Sequence, residues 1–371
     1  MENVDHLVIG GGVMGSAAAW QLARRGRSVV LLERFSTGHV QGASHGASRI
    51  YRQTYDRAEY LDLTIEALGL WRQLEDATGA QLLTITGGVS HGSPAPSLLA
   101  AFAARGIAHE LLSPAQAAER WGGMRFEGAV LHETVTAGRL HADRAVAALQ
   151  QAARAEGADV RHGVRVRDLV SRADGVLVET SDGPVRARRV VLAVGAWTSE
   201  LLGRPVPLVV TQEQPAHFDL AYPADWPSFT HQPLGVHPYP SGTYGLLTPG
   251  EGVKVGFHAV GPVTHPDHRT FTPEPGQLAL LQRYAEQWMP GVDPGTPHPI
   301  SCTYTTTPDH DFILDRRGPL VVAAGFSGHG FKFGPAIGRV LADLADEPVD
   351  EPVRASDGAF HLSRLVLQES R

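Results

Sequence analysis

The sequence lacks several features that would assign it to a class at once. Among its 371 residues there is a single cysteine, Cys302, which excludes a framework of intramolecular disulfides and favours a reducing, cytoplasmic location. No apolar run approaches the roughly 18 residues that a membrane-spanning helix needs. The net charge of −7 gives no general attraction to nucleic acid or to an anionic membrane. We therefore expect a globular protein that binds neither.

Three further absences restrict the classes of protein to which the chain can belong. Residues 1–9 lack the basic segment and long apolar stretch of a signal peptide, because a short apolar strand runs directly into glycines. Neither a Ser-His-Asp order nor paired carboxylates suggests a hydrolase, and there is no internal repeat. The chain is too long for one ordinary core, so two domains are expected.

What the sequence does contain is a glycine-rich turn between two apolar strands, with a helix between the turn and the second strand, over Leu7–Glu33. The spacing is G-x-G-x-x-G. Gly10 permits the tight turn, Gly12 lets the backbone approach a pyrophosphate, and Gly15 lets the helix pack closely on the strand. Glu33 stands where a carboxylate that binds a ribose hydroxyl is expected. The pattern predicts a dinucleotide site, and at this point both FAD and a nicotinamide remain open.

Buried strands that end in glycine return twice later in the chain. Arg189–Trp197 and Leu320–Gly325 both have this pattern, so we expect the chain to re-enter the first sheet. Between them, Pro205–Cys302 shows the alternation of an antiparallel sheet, interrupted by one helix at Pro275–Trp288. The first domain is therefore predicted to combine the start, middle and end of the chain around an inserted sheet domain.

Three local patterns make sharper predictions. A helix starting near Arg57 and ended by Gly79 should bury Leu61, Ile65, Leu68, Trp71 and Leu74 on one face. A second helix over His141–Glu156 could be capped by Asp143. Residues 85–89 are predicted to form one strand.

These segments together resemble the family of monomeric sarcosine oxidase and N-methyltryptophan oxidase. The similarity runs in order from Asp5 to about Leu344. The matching segments are Gly10–Gly15 with Glu33, Ser44–Gly46 followed by Arg49 and Arg52, Val194–Trp197, Lys254–His258, Cys302–Thr305 and Gly325–Phe333. Members of this family oxidise the secondary amine of N-methyl amino acids with FAD and oxygen, and they release hydrogen peroxide.

The resemblance implies FAD rather than a nicotinamide, and an α/β fold with a Rossmann-like, glutathione-reductase-like FAD-binding domain. We assign residues 1–85, 140–205 and 305–371 to that domain. Residues 86–139 and 206–304 are assigned to an inserted, mostly antiparallel substrate domain. The segment 230–239 is longer than the family pattern, so the size and polarity of the pocket stay open.

The resemblance also implies roles for individual residues. Cys302 would form a thioether with the flavin, whereas by composition alone it would be an ordinary buried cysteine. Lys254 would speed oxygen reduction, and Arg49 would stabilise negative charge on the opposite face of the flavin. Arg52 and Lys332 would bind the substrate carboxylate, although either cation alone would more often lie on the surface.

His258 and Tyr244 would orient the amine, and Tyr304 would border the pocket. No metal site is predicted, because His265–His268 is typical of a surface turn. The residues implied to contact FAD are Gly10, Gly12, Val13, Met14, Gly15, Glu33, Arg34, Ser44, His45, Ser48, Arg49, Val166, Gly195, Trp197, Cys302, Gly325, Gly328, Gly330, Phe331 and Lys332.

We predict a cytoplasmic oxidase, monomeric or a simple homo-oligomer, that acts on an N-alkyl amino acid such as sarcosine or N-methyltryptophan with molecular oxygen. Three alternatives stay open. The first is an oxidase of cyclic or primary amino acids such as pipecolate, proline or glycine. The second is a flavin dehydrogenase that passes electrons to a carrier. The third is a flavoprotein subunit that serves mainly in assembly.

Overall fold

The computed structural model describes residues 1–93, 96–172, 174–202, 206–348 and 359–366. The predicted domain boundary at residue 205 and the end of the chain from residue 367 lie outside the described residues. The strands are β1 (Glu2–Ile9), β2 (Val29–Glu33), β3 (Arg49–Tyr51), β4 (Leu83–Ile85), β5 (Gly88–Gly92), β6 (His109–Leu112), β7 (Ala129–Glu133), β8 (Gly138–Leu140), β9 (Asp159–His162), β10 (Val166–Arg172), β11 (Gly175–Thr180), β12 (Gly183–Leu192), β13 (Val209–Glu213), β14 (Ala216–Leu220), β15 (Ser228–Gln232), β16 (Thr243–Thr248), β17 (Gly252–Phe257), β18 (Val292–Pro299), β19 (Cys302–Thr306), β20 (Ile313–Arg317) and β21 (Leu320–Ala324).

The helices are α1 (Val13–Arg24), α2 (Ala58–Thr78), α3 (Pro96–Arg105), α4 (Pro114–Arg120), α5 (Ala142–Ala155), α6 (Thr198–Leu201), α7 (Pro275–Trp288), α8 (Gly334–Asp346) and α9 (Ser363–Val366). Within the described ranges, none of them has the length and apolarity to cross a membrane.

The first sheet gathers strands from the start, middle and end of the chain. β1 lies parallel to β2 on one side and to β12 on the other, and β9 and β21 extend the parallel sheet outwards. The hairpin β10–β11 continues antiparallel from the first half of β12, and β20 pairs antiparallel with β21. The predicted α/β class with a Rossmann-type sheet is confirmed.

Both faces of the sheet are buried at its centre, which explains the continuous apolar runs at Leu7–Ile9, Val29–Leu32 and Leu320–Ala324. Val8 faces the core formed with α1, α2, α5 and α8, whereas Leu7 and Ile9 face a second core that includes residues of β11. Helices α1 and α8 pack tightly because Gly338 lies against Ala17. A Cβ on Gly338 would lie 2.6 Å from the Ala17 Cβ.

The second sheet is mostly antiparallel and has the strand order β18-β14-β17-β16-β15-β5-β7-β6. Its one parallel pair is β15 with β5, which joins residues that are far apart in the chain. Helix α7 packs behind the sheet through Leu281 and Tyr284, and its predicted bounds are confirmed. The exact domain boundaries stay a prediction.

Three local predictions are corrected by the structure. Helix α2 ends at the left-handed Gly79 as expected, but Ile65 is exposed rather than buried. His141, not Asp143, caps α5, because the Asp143 carboxylate instead accepts a hydrogen bond from the Gly46 amide at 2.8 Å. Residues 85–89 do not form one strand, because Gly87 turns the chain at φ +75° between β4 and β5.

Candidate active site

A cavity of about 1300 Å³ extends from the glycine turn after β1 to the exposed face of the second sheet. It is larger than the roughly 300–1,000 Å³ of most small-molecule sites. Its walls come from β1–α1, from the loop at residues 35–47 and from β15, β16 and β17. The volume suits an extended cofactor together with a second, smaller molecule.

The glycine turn leaves no room for side chains at one end of this cavity. Gly10 has φ +104°, and a Cβ on Gly15 would lie 1.9 Å from the Gly10 carbonyl oxygen. A Cβ on Gly12 would lie 3.1 Å from Ser44 Oγ, which accepts a hydrogen bond from the Val13 amide at 3.0 Å. The backbone at the start of α1 is therefore open to the cavity, where the helix dipole favours an anion.

Glu33 holds this turn in place. Its carboxylate accepts hydrogen bonds from the Gly11 amide at 2.6 Å and from the Phe35 amide at 2.9 Å. Burial raises the pKa of Glu33, but hydrogen bonds from His39, Phe35 and Gly11 outweigh burial and hold the pKa below its ordinary value. The carboxylate is therefore ionised at neutral pH, and it also borders the cavity.

At the other end, two cations share one carbonyl group. Lys254 Nζ donates to the Ser48 carbonyl at 2.5 Å, and Arg49 Nη1 donates to the same oxygen at 2.9 Å. Burial and the charge of Arg49 lower the pKa of Lys254 to about 7. Cys302 Sγ lies 3.8 Å from Arg49 Nη2 and is partly exposed. This end of the cavity favours negative charge.

A second pair of cations meets at one tyrosine ring. The Arg52 guanidinium lies 5.4 Å and Lys332 Nζ lies 5.3 Å from the centre of the Tyr55 ring. Lys332 Nζ donates to Tyr55 Oη at 2.9 Å and to the His329 carbonyl at 2.6 Å, and Arg52 donates to the Thr54 carbonyl. All these partners are neutral. Burial and the charge of Arg52 hold the pKa of Lys332 well below its ordinary value.

An aromatic wall stands next to these cations. The His258 ring lies 5.4 Å from the Tyr304 ring, and burial together with the charge of Arg52 lowers the pKa of His258 to about 4. His258 is therefore uncharged at neutral pH. Tyr244 leans across Gly256, where a Cβ would lie 2.6 Å from Tyr244 Oη.

Comparison with known proteins identifies the family. Residues 5–344 match the family described as FAD dependent oxidoreductase (DAO). The chain belongs to this family. It is 32% identical over 360 residues to a monomeric sarcosine oxidase of Bacillus sp. (strain NS-129), covering 92% of each chain. It is 29% identical over 359 residues to an N-methyl-L-tryptophan oxidase of Salmonella arizonae, covering 92% of this chain and 95% of the relative.

A solved structure shows the same architecture. The open form of NikD, described as an unusual amino acid oxidase essential for nikkomycin biosynthesis, superimposes with a TM-score of 0.84 at 30% identity. The match covers 97% of this chain and 98% of NikD. The resemblance inferred from the motifs is thus confirmed across almost the whole chain, and the protein is an FAD-dependent oxidoreductase.

The residues present fit the FAD of this family. At Gly10 and Gly12, which border the cavity, an added Cβ would meet Ala193 O at 2.5 Å and Ser44 Oγ at 3.1 Å, so the backbone stays bare beside the N-terminus of α1. Elsewhere on the wall, His45 Nε2 and Ser301 Oγ are buried with no hydrogen-bond partner among the described residues. Buried polar atoms are normally satisfied, so these two atoms are available to polar groups of a ligand.

Most predicted site residues border the cavity. These are Gly10, Gly12, Val13, Met14, Glu33, Ser44, His45, Arg49, Arg52, Gly195, Trp197, Tyr244, Lys254, His258, Cys302, Tyr304, Gly325, Gly328, Gly330, Phe331 and Lys332. Gly15, Arg34, Ser48 and Val166 do not border it. Arg34 instead pairs with Asp267 at 2.8 Å. The roles assigned to all of these residues stay predictions.

Several residues at the site were not singled out in the sequence. Tyr55 joins the two cations, and Thr248 Oγ1 lies 2.7 Å from Ser48 Oγ and 3.3 Å from His217 Nε2. The lysine content of the sequence supports the two predicted lysines rather than these residues. The chain has two lysines against 30 arginines, and both lysines, Lys254 and Lys332, line the cavity.

Proposed function

We propose that this FAD-dependent oxidoreductase oxidises the secondary amine of an N-alkyl amino acid, with molecular oxygen as the electron acceptor. The observation that carries the proposal is the convergence of Arg52 and Lys332 on Tyr55, inside the same cavity as the glycine turn. Two neighbouring cations with neutral partners favour an anion, and a substrate carboxylate is of the right size and charge. The sarcosine oxidase and N-methyl-L-tryptophan oxidase relatives support the same substrate class.

In this proposal the protein orients the substrate and controls charge. FAD, which would be held by the turn at Gly10–Gly15, would supply the acceptor for a hydride equivalent from the carbon beside the amine and the route by which both electrons reach oxygen. Arg52 and Lys332 hold the carboxylate. His258, uncharged because its pKa is about 4, faces the neutral amine without repelling it. Water hydrolyses the resulting imine to an amino acid and an aldehyde, and oxygen leaves as hydrogen peroxide.

Lys254 is proposed to serve the oxygen reaction. Its ammonium group is buried against the Ser48 carbonyl, so it would stabilise negative charge that develops on oxygen nearby. Cys302 is proposed to bind the flavin through a thioether. The support is its position: Sγ is partly exposed on the cavity wall and close to Arg49.

Peroxide formation by the purified, FAD-loaded single chain tests the proposal. The panel is sarcosine, N-methyltryptophan, pipecolate, proline and glycine. We expect the N-methyl amino acids to give the highest kcat/KM. Preference for pipecolate, proline or glycine would contradict the N-alkyl assignment, and flavin reduction without peroxide would indicate a dehydrogenase.

Acid precipitation tests the thioether. We expect the yellow colour to stay in the pellet of the natural protein and to move into the supernatant for Cys302→Ala. Colour wholly in the supernatant of the natural protein would rule out the bond while leaving the oxidase proposal intact.

A further inference from the structure

The floor of the cavity is one face of the second sheet, and its side chains lie in rows across the strands. The strand register aligns Gly256 with Tyr244, Tyr244 with Thr230, and Thr230 with Ser90. Residues directly opposite one another share a face of the sheet. With neighbouring strands about 4.8 Å apart, Ser90 lies about 10 Å from Tyr244 along this row.

The Tyr244 ring leaves the far part of the row uncovered. It leans towards β17, because a Cβ on Gly256 would meet Tyr244 Oη at 2.6 Å and Pro215 Cβ at 3.0 Å. Thr230 and Ser90, on the other side of Tyr244, border the cavity. The space beside the proposed amine site therefore continues past Tyr244 towards β15 and β5.

Uncharged hydrogen-bonding groups line this extension. Thr230 Oγ1 and Ser90 Oγ are 2.9 Å apart, and two hydroxyls bonded to each other still have one hydrogen and several lone pairs for a third partner. Gln232, two residues after Thr230 on the same face of β15, lies over Gly242. A Cβ on Gly242 would be 2.4 Å from Gln232 Nε2 and 2.7 Å from Oε1. The Gln232 carboxamide therefore lies close against Gly242, just before β16, and it borders the cavity.

We propose that Ser90, Thr230 and Gln232 form a side-chain subsite, so that the substrate is an N-alkyl amino acid whose side chain passes Tyr244 and ends in an uncharged hydrogen-bonding group, such as a carboxamide or hydroxyl. The inference rests on the proposed function, because the carboxylate at Arg52 and Lys332 sets the direction of the side chain. An apolar side chain would displace water from the hydroxyl pair without replacing its hydrogen bonds. A charged side chain would meet no opposite charge in these three residues.

Binding of unreactive carboxylates to the FAD-loaded protein tests the subsite by calorimetry. Glutaramate and 5-methylhexanoate have the same shape, but only glutaramate ends in a carboxamide. We expect glutaramate to bind about 5- to 10-fold more tightly, the effect of one or two net hydrogen bonds. The double variant Ser90→Ala with Thr230→Val should weaken this preference, because only Gln232 of the three residues then remains. Thr230→Ser, which keeps the hydroxyl, should retain it.

Thr296→Val is the matched control, because Thr296 lies on β18 of the same sheet and does not border the cavity. It should leave the preference unchanged. Equal or tighter binding of 5-methylhexanoate to the natural protein would overturn the subsite, as would a preference that survives undiminished in the double variant. Neither carboxylate can be oxidised, so this result is separate from the peroxide panel. Failure of every N-methyl amino acid in that panel would instead contradict the proposed function.

Discussion

The two ends of the cavity are built in opposite ways. The glycine-turn end uses contiguous residues, Gly10–Gly15, and it presents backbone amides beside the Glu33 carboxylate. The other end brings Arg49, Lys254 and Lys332 together from distant parts of the chain, and it presents two buried lysines and a half-buried arginine. The comparison shows that a site for an extended cofactor can be encoded locally at one end while its reactive end depends on the whole fold.

Different kinds of substitution should therefore impair the two ends of the cavity. Added atoms should disrupt the glycine turn, because its neighbours are backbone atoms that cannot move aside. Removed charge should impair function at the other end, because buried cations with neutral hydrogen-bond partners are what would stabilise an anion there. The following predictions test this contrast, beginning with the largest effect.

Gly15→Ala should abolish FAD binding. Its Cβ would lie 1.9 Å from the Gly10 carbonyl oxygen and 3.2 Å from Val8 Cγ1, so α1 must move away from β1. The measurement is the flavin absorbance that remains with the purified protein. Gly69→Ala is the control, because it lies in α2 with no atom within 4 Å of its Cβ, and it should be neutral or stabilising by up to about 1 kcal/mol. Normal FAD content in Gly15→Ala would contradict the steric account.

Lys254→Met should slow the reaction of the reduced enzyme with oxygen by about 10²–10³-fold, because it removes a preorganised charge. Flavin reduction by substrate should change little. Stopped-flow spectroscopy separates the two half-reactions. In the natural protein the oxygen rate should fall as the pH rises through about 7, where Lys254 loses its proton, and the variant should lack this step. An unchanged oxygen rate would remove Lys254 from the mechanism.

Lys332→Met should raise the substrate Kd by about 10- to 100-fold, as expected for the loss of a charge-assisted hydrogen bond with little compensation. The oxygen rate should be nearly unchanged. The two lysine variants should thus have complementary defects. Lys254→Met should slow the reaction with oxygen, and Lys332→Met should weaken substrate binding. The same defect in both variants would mean that the two cation pairs do not act separately.

Lys254→Met should also raise the free energy of unfolding at low pH. The folded-state pKa of about 7 is below the ordinary value of 10.5, so the folded state binds fewer protons between these values. The cost of burying the ammonium is therefore fully present below pH 7, and it is relieved by about 1 kcal/mol per pH unit as the pH rises towards 10. The stabilisation of the variant over the natural protein should shrink accordingly in urea titrations at pH 6, 8 and 9. A difference independent of pH would contradict the lowered pKa.

Much of the fold was predictable because strong local patterns agree with the tertiary structure. The turn at Gly10–Gly15, the bounds of α7 and the return of buried strands to the first sheet were all read correctly. The errors have specific causes. Apolar periodicity assigned Ile65 to the buried face of α2. The face that packs against the core is rotated about the helix axis, so Ile65 lies outside it. Asp143 is a residue type that often caps helices, but its carboxylate instead accepts a hydrogen bond from the Gly46 amide.

The sequence by itself determined the glycine turn and the place of Glu33, because tight backbone geometry requires particular residues at fixed spacings. It also indicated the FAD-dependent class, through motifs along the whole chain that resemble one family. Only the tertiary structure decided how Arg52 and Lys332 meet at Tyr55, how Lys254 shares the Ser48 carbonyl with Arg49, and how Thr230 lies beside Ser90. For Thr230 and Ser90 the physical reason is strand register. Pairing β15 with β5 and β16 with β17 sets which distant side chains face the same cavity, and no local spacing specifies that pairing.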